Sequence, residues 1–414
     1  MYDNFRESSK IWKRSCIKKI QKADIQEYGL YHSSLYHKIH TIKEEYFSED
    51  GPMRVAGGLN NNDFRHMILK ILKDTPEKVL QGLAILSWLM EASEMLLYIP
   101  EGEEGLKQEV LKTAQELKID VDIRTEIVDM RLMSNGCICH IETLCMLAEA
   151  VNDTYVPGTW VSILKISDFG CTELREAEYV KFGTKIGCLV KIDANDIKAV
   201  QIGSKLYDAS VLEKEITPEL VMGDGVITIY DKSCCMIAQA EKALLESRKK
   251  SCGKCTFCRE GLNQLFVRIN EITKGKGESN GLRIMEDIGE AMKFSTICSI
   301  GQYGSAFTLD TIHLFSNEYE NHIKKKKCTA GTCPNFINVY INAAKCVGCG
   351  ICIKSCPVDC IEGLPGYIHM IEDIDCTKCG KCIEVCEAGA IIKTMEKVPE
   401  LPDRLTRIGR FKRY

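Results

Sequence analysis

Eight cysteines fall in two runs of one pattern, Cys346-Val-Gly-Cys349-Gly-Ile-Cys352-Ile-Lys-Ser-Cys356-Pro357 and Cys376-Thr-Lys-Cys379-Gly-Lys-Cys382-Ile-Glu-Val-Cys386. Three thiolates at i, i+3 and i+6 wrap one corner of an iron–sulfur cubane, and in a two-cluster arrangement the fourth cysteine of each run ligates the other cluster. The spacing therefore predicts one [4Fe–4S] on Cys346, Cys349, Cys352 and Cys386, and a second on Cys376, Cys379, Cys382 and Cys356. Paired C-x2-C units also suit structural zinc, but eight interleaved ligands favour iron. Such clusters move electrons one at a time, so the chemistry includes electron transfer. Glu387 follows Cys386 where Pro357 follows Cys356, a difference that falls on the local turn.

A third set, Cys252-Gly-Lys-Cys255-Thr-Phe-Cys258, again offers three thiolates at cubane spacing and needs a fourth from elsewhere. Cys298, in Ser295-Thr-Ile-Cys298-Ser-Ile-Gly301, is the candidate. Lys254 and Arg259 beside this set would stabilise the reduced cluster and raise its potential. Two further groups carry weaker chemistry. Cys137, Cys139 and Cys145 with His140 could bind a metal, but Cys139 and His140 read as opening a helix, where cysteines serve as small buried apolar residues. Gly57 and Gly58, followed by Asn60, Asn61 and Asn62, could let a nucleotide approach the backbone, and equally make an ordinary turn. His32, His37 and His40 lie on a polar stretch and read as surface residues.

The elements that must position these residues come from a 414-residue chain with 45% hydrophobic content, enough for about three domains. A net charge of -4 gives no reason to expect nucleic acid. The longest apolar run, near Leu83 to Met90, is too short to span a membrane. Twenty-three cysteines at metal-ligand spacings, behind a polar N-terminus, point to a reduced cytoplasm and an anaerobic setting. The basic run Lys324 to Lys327 and the tail residues Arg404, Arg407, Arg410, Lys412 and Arg413 read as solvated faces or a docking patch for an acidic redox partner.

The pattern predicts a multidomain α+β protein. Residues 1–52 form a polar segment, and 53–157 an α/β domain in which a helix starts at Thr75-Pro76 between short parallel strands. Residues 158–231 read as a small β domain, with strands expected at Trp160 to Ile166, Leu189 to Ile192, Ala199 to Ile202 and Val226 to Ile229. A helical bundle over 232–325 opens with a strong helix at Ser233 to Lys250, and a ferredoxin-like domain fills 326–414.

Ser251-Cys252-Gly-Lys-Cys255-Thr-Phe-Cys258-Arg259-Glu-Gly261 with Cys298 resembles the iron–sulfur region of the NADH-oxidising flavoprotein subunit of respiratory complex I and of NAD-linked and electron-bifurcating hydrogenases. The added two-cluster module is similar to the bifurcating branch. The resemblance implies a degenerate α/β domain for flavin mononucleotide (FMN) and NADH, a β-grasp module, and a bundle cluster on Cys252, Cys255, Cys258 and Cys298. It also implies redox partners: a thioredoxin-like [2Fe–2S] subunit, a hydrogenase or other catalytic subunit, and ferredoxin. Related bridging modules hold a metal near Cys328 and Cys333; with His369 and with Cys360 as fourth ligand, these would suit tetrahedral zinc. The sequence departs from the family at its nucleotide motifs. The glycine-rich loop is absent, the acidic segment has become Val55 to Asp63, and the asparagines before Glu142 are replaced by Cys139 and His140. The expectation is therefore an iron–sulfur electron-transfer subunit of a multi-subunit oxidoreductase, with three [4Fe–4S] clusters, zinc, and FMN and NAD(P)H in doubt. The alternatives are an active NAD(P)H:acceptor oxidoreductase that keeps FMN, and a docking scaffold.

Overall fold

The computed structural model describes residues 2–27, 33–45, 51–131, 135–167, 172–190, 192–220 and 222–411; His32, Lys412 and Arg413 lie outside them. The chain forms two compact units, one comprising Met1–Lys232, Lys242–Phe266 and Ile284–Leu314, the other Ser233–Glu241, Val267–Arg283 and Phe315–Tyr414. The helical region thus contributes to both.

The first unit contains a four-stranded parallel sheet of β1 (Arg54–Gly58), β2 (Glu94–Ile99), β3 (Asp122–Thr125) and β4 (Gly136–His140), in the order β3-β2-β1-β4. Helices α1 (Tyr2–Ala23), α2 (Leu35–Glu45), α3 (Pro76–Met90), α4 (Glu104–Leu117) and α5 (Ile141–Val151) accompany it. Residues 1–52, read as polar, supply Cys16, Ile20, Ile25, Leu35 and Ile39 to the core. Val55-Ala-Gly-Gly58, read as a turn, is a strand, because both its faces are buried and its run of small residues has room only for neighbours. Cys137 and Cys139 lie on β4 rather than on a helix; the helix starts one residue later, with His140 as its N-cap accepting from the Glu142 amide. Gly82 lets α3 cross α5 closely, since a Cβ there would run into the Leu144 carbonyl.

Glu142 joins this layer to the next sheet: its carboxylate accepts from Thr159 Oγ1 at 2.8 Å and from the Trp160 amide at 2.9 Å. The second sheet contains β5 (Gly158–Ile166), β6 (Thr172–Leu174), β7 (Glu178–Lys181), β8 (Ile197–Ile202), β9 (Lys205–Tyr207) and β10 (Val226–Asp231). Its order is β9-β8-β10-β5-β6, with β7 also on β5 and only β10–β5 parallel. Among the described residues no strand forms where one was expected at Leu189 to Ile192; Ile186–Leu189 forms a single helical turn.

Five helices follow: α6 (Met236–Lys250), α7 (Thr256–Thr273), α8 (Ser279–Ser295), α9 (Ser299–Leu314) and α10 (Ser316–Lys324). Glycines seat the contacts among them; a Cβ at Gly289 would lie 2.8 Å from Leu309, and one at Gly304 would lie 2.8 Å from Ser247 Oγ. In the second unit, β11 (Asn338–Ile341) pairs antiparallel with β14 (Ile391–Thr394), and β12 (Ile361–Glu362) with β13 (Met370–Ile371). The short helices α11 (Ile351–Ser355) and α12 (Lys381–Glu384) complete this small module. Among the described residues, no helix is long and apolar enough to cross a membrane.

Candidate iron–sulfur and metal centres

Cys252 and Cys255 occupy the loop that enters α7, Cys258 lies in the first turn of that helix, and Cys298 immediately precedes α9. The four converge: burial pushes the Cys258 thiol up to about 11, and Cys298, Cys255 and Cys252 close by push in the same direction. Neighbouring thiols that oppose one another's ionisation are what a bound cation or cluster resolves. Ser251 Oγ lies 3.4 Å from Cys258 Sγ, and Cys255 Sγ lies 3.7 Å from the Ser295 carbonyl. Arg259 is half-committed elsewhere, its guanidinium bonding the Gly253 carbonyl at 3.2 Å and Glu260 at 2.9 Å.

The loop after β1 reaches this centre. Asn61 lies close enough to Cys298 to pull its thiol down against the upward push of burial, and the Asn62 amide donates to Ser299 Oγ at 3.0 Å. Asn61 also clasps Val128, its Nδ2 donating to the carbonyl at 3.0 Å and its Oδ1 accepting from the amide at 2.9 Å. On either side of this clasp lies a cavity at the carboxyl ends of the strands. In an open parallel sheet that crevice, where the strand order reverses, is the usual ligand position; here the reversal falls between β1 and β4.

The first cavity, about 370 Å3, is walled by Gly58 to Asn61, Ile138 to His140, Glu27, Lys38 and Glu45. Glu27 accepts from the His140 amide at 2.9 Å and faces Lys38 at 3.7 Å. Burial lowers the His140 imidazole to about 4, so it is neutral, and its Nε2 is buried without a hydrogen-bond partner. These walls do not fit the phosphate of FMN. The lysine is tied to Glu27, and the open sides of the two glycines are filled by protein. A Cβ on Gly57 would lie 3.1 Å from Leu97, and one on Gly58 would lie 3.2 Å from Tyr98 Cβ. The glycines thus serve strand packing.

The second cavity, about 500 Å3, has a different character. Lys249, Lys250, Lys254 and His66 line it with Cys252, opposite Asp63, Glu101 and Glu126. Its cations suit an anionic ligand, and Cys252 places that ligand beside the bundle centre.

In the second unit the two ferredoxin runs fold back on one another. Cys346, Cys352, Cys360 and Cys382 share one buried cluster, with Cys356, Cys376 and Cys386 packed against it. A small cavity is lined by Cys356, Cys376, Cys379 and Cys382, the set that the spacing assigns to one cubane, and also by Cys360. Burial raises the Cys352 thiol, with Cys346 and Cys349 adding to it, which brings three residues of the other set together. Gly350 and Gly380, at φ of 76° and 83°, turn the backbone into each short helix, where other residues would be strained.

Cys328 and Cys333 also belong to a metal-like group, but not with the partners expected. His369 lies 3.9 Å from Cys346, and Cys360 lies 3.5 Å from Cys356, both within the ferredoxin module. The ligand atoms of Cys235, His322, Cys328 and Cys333 lie within 4.8 Å of one another, all buried. Cys235 Sγ and Cys333 Sγ each lie 3.5 Å from His322 Nε2 and 3.5 Å from one another. Ligands at tetrahedral zinc distances are separated by roughly 3.5 Å, so the site is already of the right size. His322 Nδ1 bonds the Glu318 carbonyl at 2.8 Å, which orients Nε2 toward the thiols, as metal-bound imidazoles require. Cys235 and Cys333, the largest causes, pull the Cys328 thiol below its ordinary value. The signal in the sequence was a histidine one helical turn and a half before Cys328, and a Cys234-Cys235 pair at a helix start. Neither has a fixed spacing to the other.

Residues 228–322 match the NADH-ubiquinone oxidoreductase-F iron-sulfur binding region, and residues 345–391 match the 4Fe-4S dicluster domain. The chain is thus a relative of oxidoreductase subunits. It is 36% identical over 210 residues to the NADP-reducing hydrogenase subunit HndC of Solidesulfovibrio fructosivorans, covering 49% of this chain and 43% of that one. It is 27% identical over 104 residues to the mitochondrial NADH dehydrogenase (ubiquinone) flavoprotein 1 of Dictyostelium discoideum, covering 25% and 22% respectively. The chain therefore spans less than half the length of these curated relatives. The crystal structure of an NAD+-reducing [NiFe]-hydrogenase in the H2-reduced state shares the fold, with a TM-score of 0.60 at 16% identity over 75% of this chain and 63% of that one.

Proposed function

We propose that this chain is an electron-relay subunit of a multi-subunit NAD(P)-linked oxidoreductase of the hydrogenase or complex I type. It would hold three [4Fe–4S] clusters and one zinc ion. The observation that carries the reading is the convergence of Cys252, Cys255, Cys258 and Cys298 beside a cavity lined by Cys252 itself, in a chain that also carries a module with two further sets of cluster ligands. The clusters, when bound, supply one-electron redox chemistry. The chain's own residues bind them with thiolates, and Lys254 beside the bundle set favours added negative charge. In this reading residues 158–231 form a β-grasp-like module, 232–325 the cluster bundle, and 326–414 the ferredoxin domain. The zinc is structural, since all four of its positions are taken by protein. Exposed Phe257, Phe294 and Ile297 surround the bundle ligands and suit docking of a partner redox subunit.

A second reading is favoured by the second cavity: an anionic redox ligand such as a nicotinamide or flavin nucleotide, held by Lys249, Lys250 and Lys254, would exchange electrons with the bundle cluster.

Anaerobic purification with iron, sulfide, zinc and flavin measured on one sample tests both. The relay predicts about twelve irons from three cubanes, without flavin; one flavin per chain would move the reading to nucleotide oxidation. Cys298→Ser should remove the bundle cluster's electron paramagnetic resonance (EPR) signal. An unchanged signal would end the assignment.

A further inference from the structure

The two halves of the ferredoxin module repeat one another strand for strand and differ at a buried position. In each half a short strand precedes the cysteine run, with Ile341 five residues ahead of Cys346 and Ile371 five ahead of Cys376. Ile341 pairs with Ile391 and Tyr340 with Ile392 between β11 and β14, as Ile371 pairs with Ile361 and Met370 with Glu362 between β13 and β12. One residue further along the same register, Val339 stands against Lys393 in the first pairing and His369 against Gly363 in the second.

Val339 is buried and lines the cavity of Cys356, Cys376, Cys379 and Cys382. Its counterpart His369 is equally buried, with Nδ1 3.9 Å from Cys346 Sγ. Each strand thus leans on the ligands that the other run supplies, one with an apolar side chain and one with an imidazole. Gly363 is fitted to that ring. A Cβ there would lie 2.9 Å from His369 Nε2 and nearer still to Cγ and Cδ2, and its φ is not one that calls for glycine. The corresponding Lys393 is exposed and spares no room. Burial favours the neutral imidazole, with the Tyr367 backbone acting the other way. A neutral ring carries one proton, and its partner decides which nitrogen holds it. Nε2 is buried without a hydrogen-bond partner, whereas a ligand sulfur accepts hydrogen bonds, so the proton belongs on Nδ1.

We infer that His369 donates its Nδ1 proton to Cys346 Sγ and thereby raises the potential of the cubane on Cys346, Cys349, Cys352 and Cys386, a contact that Val339 cannot give the other cubane. A hydrogen bond to a ligand sulfur stabilises the reduced cluster, which carries one more negative charge, more than the oxidised one. In the step itself one electron enters the cubane, the imidazole keeps its proton, and no bond to iron forms or breaks. The histidine acts through Cys346 and draws an electron that reaches the module toward the first cubane. The inference rests on the proposed cluster assignment, and iron and sulfide content of the unmodified chain tests that assignment separately.

The experiment is an anaerobic dithionite titration of the full chain followed by EPR, comparing the unmodified protein with His369→Val and His369→Asn. Valine is what the other half uses at this position, and asparagine keeps an N–H at the reach of Nδ1. In His369→Val the reduced-to-oxidised ratio of one cubane, read at a fixed potential, should fall about tenfold, as for one lost hydrogen bond to a charged group; in a one-electron couple that is about 59 mV. The other cubanes should keep their ratios. His369→Asn should stay within about threefold of the unmodified chain. A fall of less than about threefold in His369→Val overturns the inference, and so does an equal fall in His369→Asn, which would make the histidine a packing residue. Should His369→Val fail to fold or lose iron, hyperfine coupling to isotopically labelled histidine decides. A ring nitrogen should couple to a reduced cubane in the unmodified chain, and the coupling should vanish in His369→Asn. No coupling, or coupling that survives the replacement, overturns the inference.

Discussion

At the scale of single residues, the metal group shows how little of a site's chemistry lies in local spacing. His322 sits in a charged helix and would pass for a surface residue, yet it is fully buried with its Nε2 3.5 Å from two thiols. Phe336 packs edge-on against its ring, with centroids 5.0 Å apart, and closes the site from water. Structural zinc in small domains contributes on the order of 10 kcal/mol to folding. Cys235→Ala and His322→Ala should therefore each abolish bound zinc, measured by elemental analysis, and lower the melting temperature. Cys360→Ala and His369→Ala should leave zinc unchanged. Loss of zinc in either of the latter would restore the ligand set expected from sequence. The twelve cysteines proposed as cluster ligands stand out in the sequence because cubane ligation imposes short, fixed intervals on three of each four. Cys235 and His322 do not, because a tetrahedral site assembled from a helix start, a helix end and a loop leaves no interval to read.

At the scale of elements, the parallel sheet places both cavities at the carboxyl ends of its strands, the first of them at the reversal point between β1 and β4, and Glu142 ties that sheet's last helix to the next sheet. The helices starting at Pro76 and near Gly105 and the strand at Glu94 were visible as periodic apolar patterns. β1 was not, since a glycine pair signals a turn unless one knows that Leu97, Leu144, Tyr98 and Val128 fill the space beside it. Glu142 carries a testable consequence. Burial pushes its carboxyl up to about 7 from an ordinary 4.5, against hydrogen bonds from Trp160 and Thr159 that pull it down. The folded state therefore holds a proton that the unfolded chain releases. The associated stability is fully present below about pH 4.5 and is lost as pH rises through about 7, to the extent of about 3 kcal/mol. Asp63, raised to about 7 chiefly by burial, adds to the same slope. Glu142→Gln should flatten the fall in denaturant midpoint between about pH 5 and pH 8, and an unchanged slope would mean that Glu142 is ionised in the fold.

At the scale of the whole molecule, the chain combines two kinds of metal architecture. In the proposed assignment the bundle set is completed within one stretch of about fifty residues, whereas the ferredoxin sets are cross-wired, each borrowing its last thiol from the other run. The pairing of Asn338 with Thr394 through to Ile341 with Ile391 closes that module by joining strands on either side of both runs. A chain ending after Asp375 should lose both ferredoxin clusters rather than one, so iron should fall by about eight rather than four, with bundle EPR retained. A loss of only four would show that each run assembles alone. The same closure sets an order of events during synthesis. While the ribosome is still making residues 376–394, the first run already in solution has three thiolates, no fourth ligand and no partner strand. Metal delivered at that moment has nowhere stable to rest. In the proposed assignment, maturation of this segment must wait until the second run and the strand that follows it have been made.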